Sequence, residues 1–261
     1  MVIRGVTARS RTEWVRSSNR CTSPRIRGFP NGVGREDGGV ERVVRIVAFG
    51  VGGAAPVHLH GELAAPPNPQ GIVVFAHGSG SSRLSPRNTM VAEVLRERGM
   101  ATLLFDLLTD AEAKDRRNVF DIPLLGDRLL HATAWVRARP DVGSLPIGCF
   151  GASTGAAAAL WAAGESGEEV AAVVSRGGRP DLVAASRLAD VTAPTLLIVG
   201  GWDPQVVDAN REAQASLRCP NELAIVPGAT HLFEERGALE AVAELAGDWF
   251  ERYLGLLEEG R

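Results

Sequence analysis

An α/β fold, with about eight mostly parallel strands and helices on both faces of the sheet, is what this sequence predicts. Three observations carry that expectation. Six short apolar runs recur along the chain: Gly71–Ala76, Ala101–Phe105, Pro146–Phe150, Val170–Val174, Pro194–Val199 and Glu222–Val226. Unbroken apolar strands belong to a sheet covered on both sides, which means mostly parallel. Helical periodicity fills the intervals, and two further strand-like runs precede the first of the six.

In chain order, Glu41–Phe49 and Pro56–Ala64 read as strands joined by a glycine-rich turn at Gly50-Val51-Gly52-Gly53. Pro66-Pro67-Asn68-Pro69 breaks the chain before the third strand. Met90, Val91, Val94 and Leu95 share one helical face, as do Ile122, Leu125, Leu129 and Val136. Near the end, Leu239, Val242, Leu245, Trp249 and Tyr253 form a stripe at helical spacing. About 18 residues, 176 to 193, separate the sixth and seventh strands, too few for a helical cap domain, so an open site is expected. The longer, charged loop Thr109–Phe120 is the better covering element.

The chain has 261 residues, 45% of them hydrophobic and 23% charged, which suits a globular protein. A net charge of −3 gives no electrostatic reason to expect nucleic acid or an anionic membrane surface as partner. Nor does any apolar stretch reach the roughly 18 residues of a bilayer span. Cys21, Cys149 and Cys219 are too scattered for a disulfide framework or a zinc site, and a cytoplasmic home is expected. Of the 28 basic residues only Lys114 is a lysine, as a GC-rich bacterial genome would give, so arginine abundance alone is not informative. Residues 1–40 hold eight arginines against Glu13, Glu36 and Asp37 and lack apolar periodicity. They read as a disordered tail or a mis-assigned start ahead of a catalytic domain at 41–261.

The most informative stretch is Ile147–Gly155, an apolar run entering Gly151-Ala152-Ser153-Thr154-Gly155 with an alanine-rich helix behind it. That strand–turn–helix context is what gives a G-x-S-x-G match meaning. The turn forces a serine into a strained backbone, and bulk at 151 or 155 would strike the neighbouring strand and helix. Serine needs a base, and the base needs an orienting acid. The strand ending at Val199 delivers Gly200-Gly201-Trp202-Asp203, and the strand ending at Val226 delivers Pro227-Gly228-Ala229-Thr230-His231. The order Ser153, Asp203, His231 is that of one triad fold among three. The loop His77-Gly78-Ser79-Gly80-Ser81-Ser82 follows the third strand. Its Ser79 amide, together with that of Thr154, is the expected pair of oxyanion donors.

Through the Phe75–Arg87 segment, the Gly151–Gly155 elbow, Gly200–Asp203 and Gly228–Phe233, residues 42–255 resemble an α/β-hydrolase of the dienelactone-hydrolase-like group. The resemblance implies hydrolysis of a carboxylic ester or lactone, with no cofactor and no metal. It departs from dienelactone hydrolase itself at the nucleophile, where Ser153 stands in place of cysteine. A serine esterase acting on a small-molecule ester or lactone is therefore the expectation, and homo-oligomerisation stays open.

Other residues have competing explanations. Asp208 and Glu234 rival Asp203 as the acid. His58 and His60 alternate on an early strand and lack a third ligand; His131 sits in a helix; His77 belongs to the loop scaffold. Cys149 reads as a small core residue. Arg176 and Arg179, in Ser-Arg-Gly-Gly-Arg, fit either a substrate carboxylate or a structural ion pair. Trp202 either lines the acyl pocket or packs. Acyl transfer or perhydrolysis would use the same three residues, and an inactive binding protein could keep the fold. Nucleotide binding is disfavoured, because Arg83 stands where the third fingerprint glycine belongs.

Overall fold

A computed structural model of the chain describes residues 39–50 and 55–255. The reading of residues 1–38 as a tail, and of Val51–Gly53 as a turn, lies outside the described residues. Eight strands form one sheet in the order β1-β2-β4-β3-β5-β6-β7-β8. They are β1 (Val40–Ala48), β2 (Val57–Ala65), β3 (Gly71–Ala76), β4 (Met100–Phe105), β5 (Ile147–Ala152), β6 (Ala172–Arg176), β7 (Thr195–Gly200) and β8 (Asn221–Val226). β1 and β2 pair antiparallel, β2 pairs antiparallel with β4, and all other pairs are parallel. The apolar runs thus lie where the sequence suggests, within one or two residues at each end.

The described residues form seven helices: α1 (Pro86–Glu97), α2 (Arg116–Val119), α3 (Ile122–Arg137), α4 (Thr154–Ser166), α5 (Ala185–Ala189), α6 (Pro204–Ser216) and α7 (Ala238–Leu254); α2 packs on α3, and α5 on α4 and α6. Local chemistry sets their starts. Ser85 and Asp121 cap α1 and α3 by accepting the amides of Asn88 and Leu124. Proline opens α1 and α6, where no amide hydrogen is needed. On one face, Phe75, Phe150 and Leu95 meet Phe250 of α7; on the other, Leu129 and Val136 of α3 meet Ala157–Leu160 of α4. Fully burying each large apolar side chain is worth about 1.5–3 kcal/mol.

Two expectations need amendment. The buried side of α7 is centred on Val242, Ala243, Ala246, Trp249 and Phe250, while Leu239, Leu245 and Tyr253 lie only at its margin. Small residues at 243, 246 and 247 share the buried side with Trp249 and Phe250, and a stripe of large residues alone does not find them. The loop 109–120 is also more built than a lid. It contains a 3₁₀ turn, Glu112–Lys114, and α2, and Glu112 ties it to the fully buried Arg128 at 2.7 Å.

What places the site is the strand order. From β3 the chain passes to β4 on one side and then returns to β5 on the other. The loops after β3 and β5 therefore diverge, and the gap between them is where open α/β sheets bind ligands. Between β6 and β7 the chain holds only a 3₁₀ turn, Pro180–Leu182, and the single-turn α5, so no cap domain is inserted there.

Candidate active site

The elbow after β5 has the backbone that its sequence demands. Ser153 sits at φ 52°, ψ −117°, one of three non-glycine residues at positive φ among those described. Strain of this kind costs on the order of 1–3 kcal/mol and persists only where surroundings enforce it. A side chain on Gly155 would come within 2.2 Å of the Ala76 carbonyl oxygen, and one on Gly151 within 2.4 Å of the Ala156 Cα. The helix can approach strands β3 and β5 only because both positions are bare.

The elbow, the loop after β7 and the loop after β8 converge. Backbone bonds from Gly201 N–H to the Val226 carbonyl and from Trp202 N–H to the Ala229 carbonyl, both 2.9 Å, tie the last two loops together. His231 Nδ1 lies 2.8 Å from Asp203 Oδ2, and His231 Nε2 lies 3.3 Å from Ser153 Oγ. A carboxylate only accepts, so Nδ1 carries the proton and donates to Asp203. Nε2 is then left to accept from the serine hydroxyl. The second distance is long for a hydrogen bond, as is common before substrate tightens such a site. The rival acids are engaged elsewhere, Asp208 with Arg211 at 3.1 Å and Glu234 with Arg87 at 3.1 Å.

The expected oxyanion donors are placed unequally. Thr154 opens α4, where an amide has no partner within the helix. The Ser79 N–H instead donates to the Thr154 hydroxyl at 2.8 Å. That hydroxyl must release the amide before an oxyanion can take it. Glycine spacing showed that the loop could approach, but not that a threonine 75 residues away would meet it.

His77 is scaffold. Leu107 N–H donates to its Nε2 at 3.1 Å, so Nδ1 carries the proton and donates to the Gly78 carbonyl at 3.0 Å. The imidazole joins the loop after β3 to the loop after β4, and burial holds it below its usual pKa, favouring the neutral ring. Cys149 is wholly buried on β5, and burial pushes its thiol up to about 12, an unreactive core residue. His131 Nδ1 donates to the Asp127 carbonyl and its ring meets Phe49 edge-on. His58 and His60 are exposed on β2 and border a cavity of about 260 Å³ with Asp106 and Asp110. Among the described residues, no set of three or more His, Cys, Asp or Glu is arranged to hold a metal.

The two arginines after Ser175 part company. Arg179 makes a two-pronged pair with Asp181, at 2.8 and 2.6 Å. Strand β6 runs two residues further than its apolar core, so Arg176 is its last residue and is only 7% exposed. The pair cannot grip one carboxylate together as they stand. Trp202 is 68% exposed beside Asp203, at the rim of the site rather than in a pocket.

An eight-stranded, mostly parallel sheet with a strained serine, imidazole and carboxylate at its carboxyl edge defines an α/β-hydrolase. Residues 69–245 match the model of the alpha/beta hydrolase domain family, and the chain belongs to it. More particularly, it is a dienelactone-hydrolase-like member. It is 54% identical to the dienelactone hydrolase from Anabaena variabilis, whose crystal structure superposes with a TM-score of 0.77 over 83% of this chain and 99% of that one. Est1E from Butyrivibrio proteoclasticus shares the fold at 17% identity, with a TM-score of 0.68 over 82% of this chain and 99% of its own. Proteins of Mycobacterium tuberculosis provisionally named phosphoribosyl transferases are 60% identical over 201 residues. That stretch is 77% of this chain and 45% of theirs, so the chain spans about half the length of these curated relatives. Among the described residues no helix is long and apolar enough to cross a membrane.

Proposed function

We propose that the chain is a serine hydrolase cleaving small carboxylic esters or lactones through an acyl-enzyme. The observation that carries this reading is the relay from Ser153 Oγ through His231 to Asp203, at 3.3 and 2.8 Å. His231 takes the serine proton as Oγ attacks the carbonyl carbon, then returns it to the leaving alcohol. Asp203 holds the imidazole in the tautomer that accepts at Nε2 and stabilises the imidazolium that forms. The Thr154 amide, at the positive end of α4, stabilises the tetrahedral oxyanion, and the Ser79 amide joins it once the Thr154 hydroxyl turns aside. Water then enters by the same relay and frees the acid.

The dienelactone hydrolase relative supports an ester or lactone as the substrate class. The phosphoribosyl transferase name belongs to proteins more than twice the matched length, so it describes more than this stretch. A cytoplasmic setting suits the reading, since Cys149 and Cys219 are both free and buried. The test is covalent labelling by a fluorophosphonate probe, alongside hydrolysis of a panel of p-nitrophenyl esters and lactones. Labelling confined to Ser153, and turnover lost in Ser153→Ala, is the expected result. Wild-type protein that neither labels nor turns over any ester would refute the reading.

A further inference from the structure

We propose that Arg176 and Arg87 form a recognition site for an oxoanion, a carboxylate or a phosphate-type group, carried on the substrate at the α1/α7 side of Ser153. The proposal rests on the hydrolase reading above and names its substrate class. Arg176 is paired in register with Ala152, and its carbonyl accepts the Ser153 N–H at 3.1 Å. Its Cα therefore stands about one strand spacing, ~4.8 Å, from the elbow. Side chains alternate along a strand, so Arg176 follows Val174 toward α1 and α7, and its guanidinium ends 6.0 Å from the centre of the Phe233 ring. Phe233 lies two residues beyond His231.

The Nε and Nη1 of this guanidinium are buried with no hydrogen-bond partner among the described residues, as are those of Arg128, but Arg128 has the Glu112 carboxylate and Arg176 has none among those residues. Guanidinium is a permanent cation with five donors, and a charge buried without a partner is expensive. Burial, and then the like charge of Arg87, bring its pKa down to about 10, the direction expected of a cation with no counter-charge. Arg87 repeats the pattern more weakly. Its Nη1 reaches only the exposed carboxylate of Glu234, while its Nε is buried without a partner. Beside it, Asn88 is 2% exposed with Oδ1 also unpartnered, on the side of α1 that faces the sheet.

Water could satisfy these donors but would leave the charge of Arg176 uncompensated, with Arg87 answered only by the exposed Glu234. A planar oxoanion accepts two parallel N–H bonds from a guanidinium and supplies the missing charge. Glu234, bridging from the loop that carries His231 to the start of α1, occupies one cation that such a group would claim. The geometry therefore suits an acyl chain that ends in an anion and extends from Ser153 toward α1.

The test compares three p-nitrophenyl esters of matched chain length: pentanoate, glutarate with a free carboxylate, and 4-phosphonobutanoate. Wild type is expected to prefer one or both charged esters, and which one identifies the oxoanion. Arg176→Met should lose about 100-fold in kcat/KM on the preferred charged ester and less than about threefold on pentanoate, Arg176→Lys should recover part of that loss, and Arg87→Gln should lose about tenfold. No charge preference in wild type, or equal losses on charged and neutral esters in Arg176→Met, would overturn the site while leaving the hydrolase reading intact. If none of the esters is cleaved in a Ser153-dependent way, the hydrolase reading fails separately. Calorimetry with glutarate and with inorganic phosphate then decides the site: binding to wild type that vanishes in Arg176→Met supports it, and no binding to wild type overturns it.

Discussion

Two regions each hold a buried arginine, and they treat it differently. Under the 109–120 loop, Arg128 is 0% exposed and meets Glu112 at 2.7 Å, and that carboxylate also accepts from Thr109. Behind the His231 loop, Arg176 is almost as deeply buried and meets no carboxylate. In the first region a charge pair fixes a long loop to α3. In the second, a cation is held beside Ser153 with no carboxylate against it. The contrast teaches that a buried charge can serve either scaffold or site, and that its partner tells which.

Breaking the scaffold pair should have the largest effect on stability. Arg128→Met leaves Glu112 buried without its cation, and a loss of about 3–5 kcal/mol in urea unfolding is expected. A loss under about 0.5 kcal/mol, the range of ordinary surface changes, would remove the distinction drawn between the two regions. Arg176→Met should move the opposite way, since it removes an uncompensated charge while keeping the stem. A gain of about 1–3 kcal/mol is expected, accompanied by weaker turnover of charged esters. A large destabilisation would make Arg176 scaffold after all.

His77 sharpens the comparison at smaller size, as a buried ionisable group whose neutral form is fully satisfied. Its folded-state pKa lies below the usual 6.5, so its contribution to stability is present above that value and lost as pH falls through the lowered one. His77→Gln should flatten the acid limb of a Tm-against-pH profile, at an overall loss of about 1–2 kcal/mol from the broken loop bonds. An unchanged acid limb would show that another group titrates there.

Much of this could be read in the chain because it is written locally. Apolar runs marked six of the eight strands, and bare flanks at Gly151 and Gly155 marked the elbow. The chain order of Ser153, Asp203 and His231 marked which strand ends had to meet. What stayed hidden depends on distant contacts or on a strand's last residue. The Thr154 hydroxyl reaches the Ser79 amide only because Gly155 lets α4 come close to β3. Arg176 and Arg179 look alike in sequence, yet two extra strand residues turn one inward and leave the other with Asp181. Half of the buried residues of α7 are alanine or glycine, which the periodicity of larger residues does not reveal.

The chemistry itself is tested most directly at the acid of the relay. Asp203→Asn keeps the shape of the site but turns the imidazole so that it can no longer accept from Ser153, and ester turnover should fall on the order of 10⁴-fold with the fold intact. Turnover within about tenfold of wild type would contradict the account, because the imidazole would then be acting without the carboxylate that orients it.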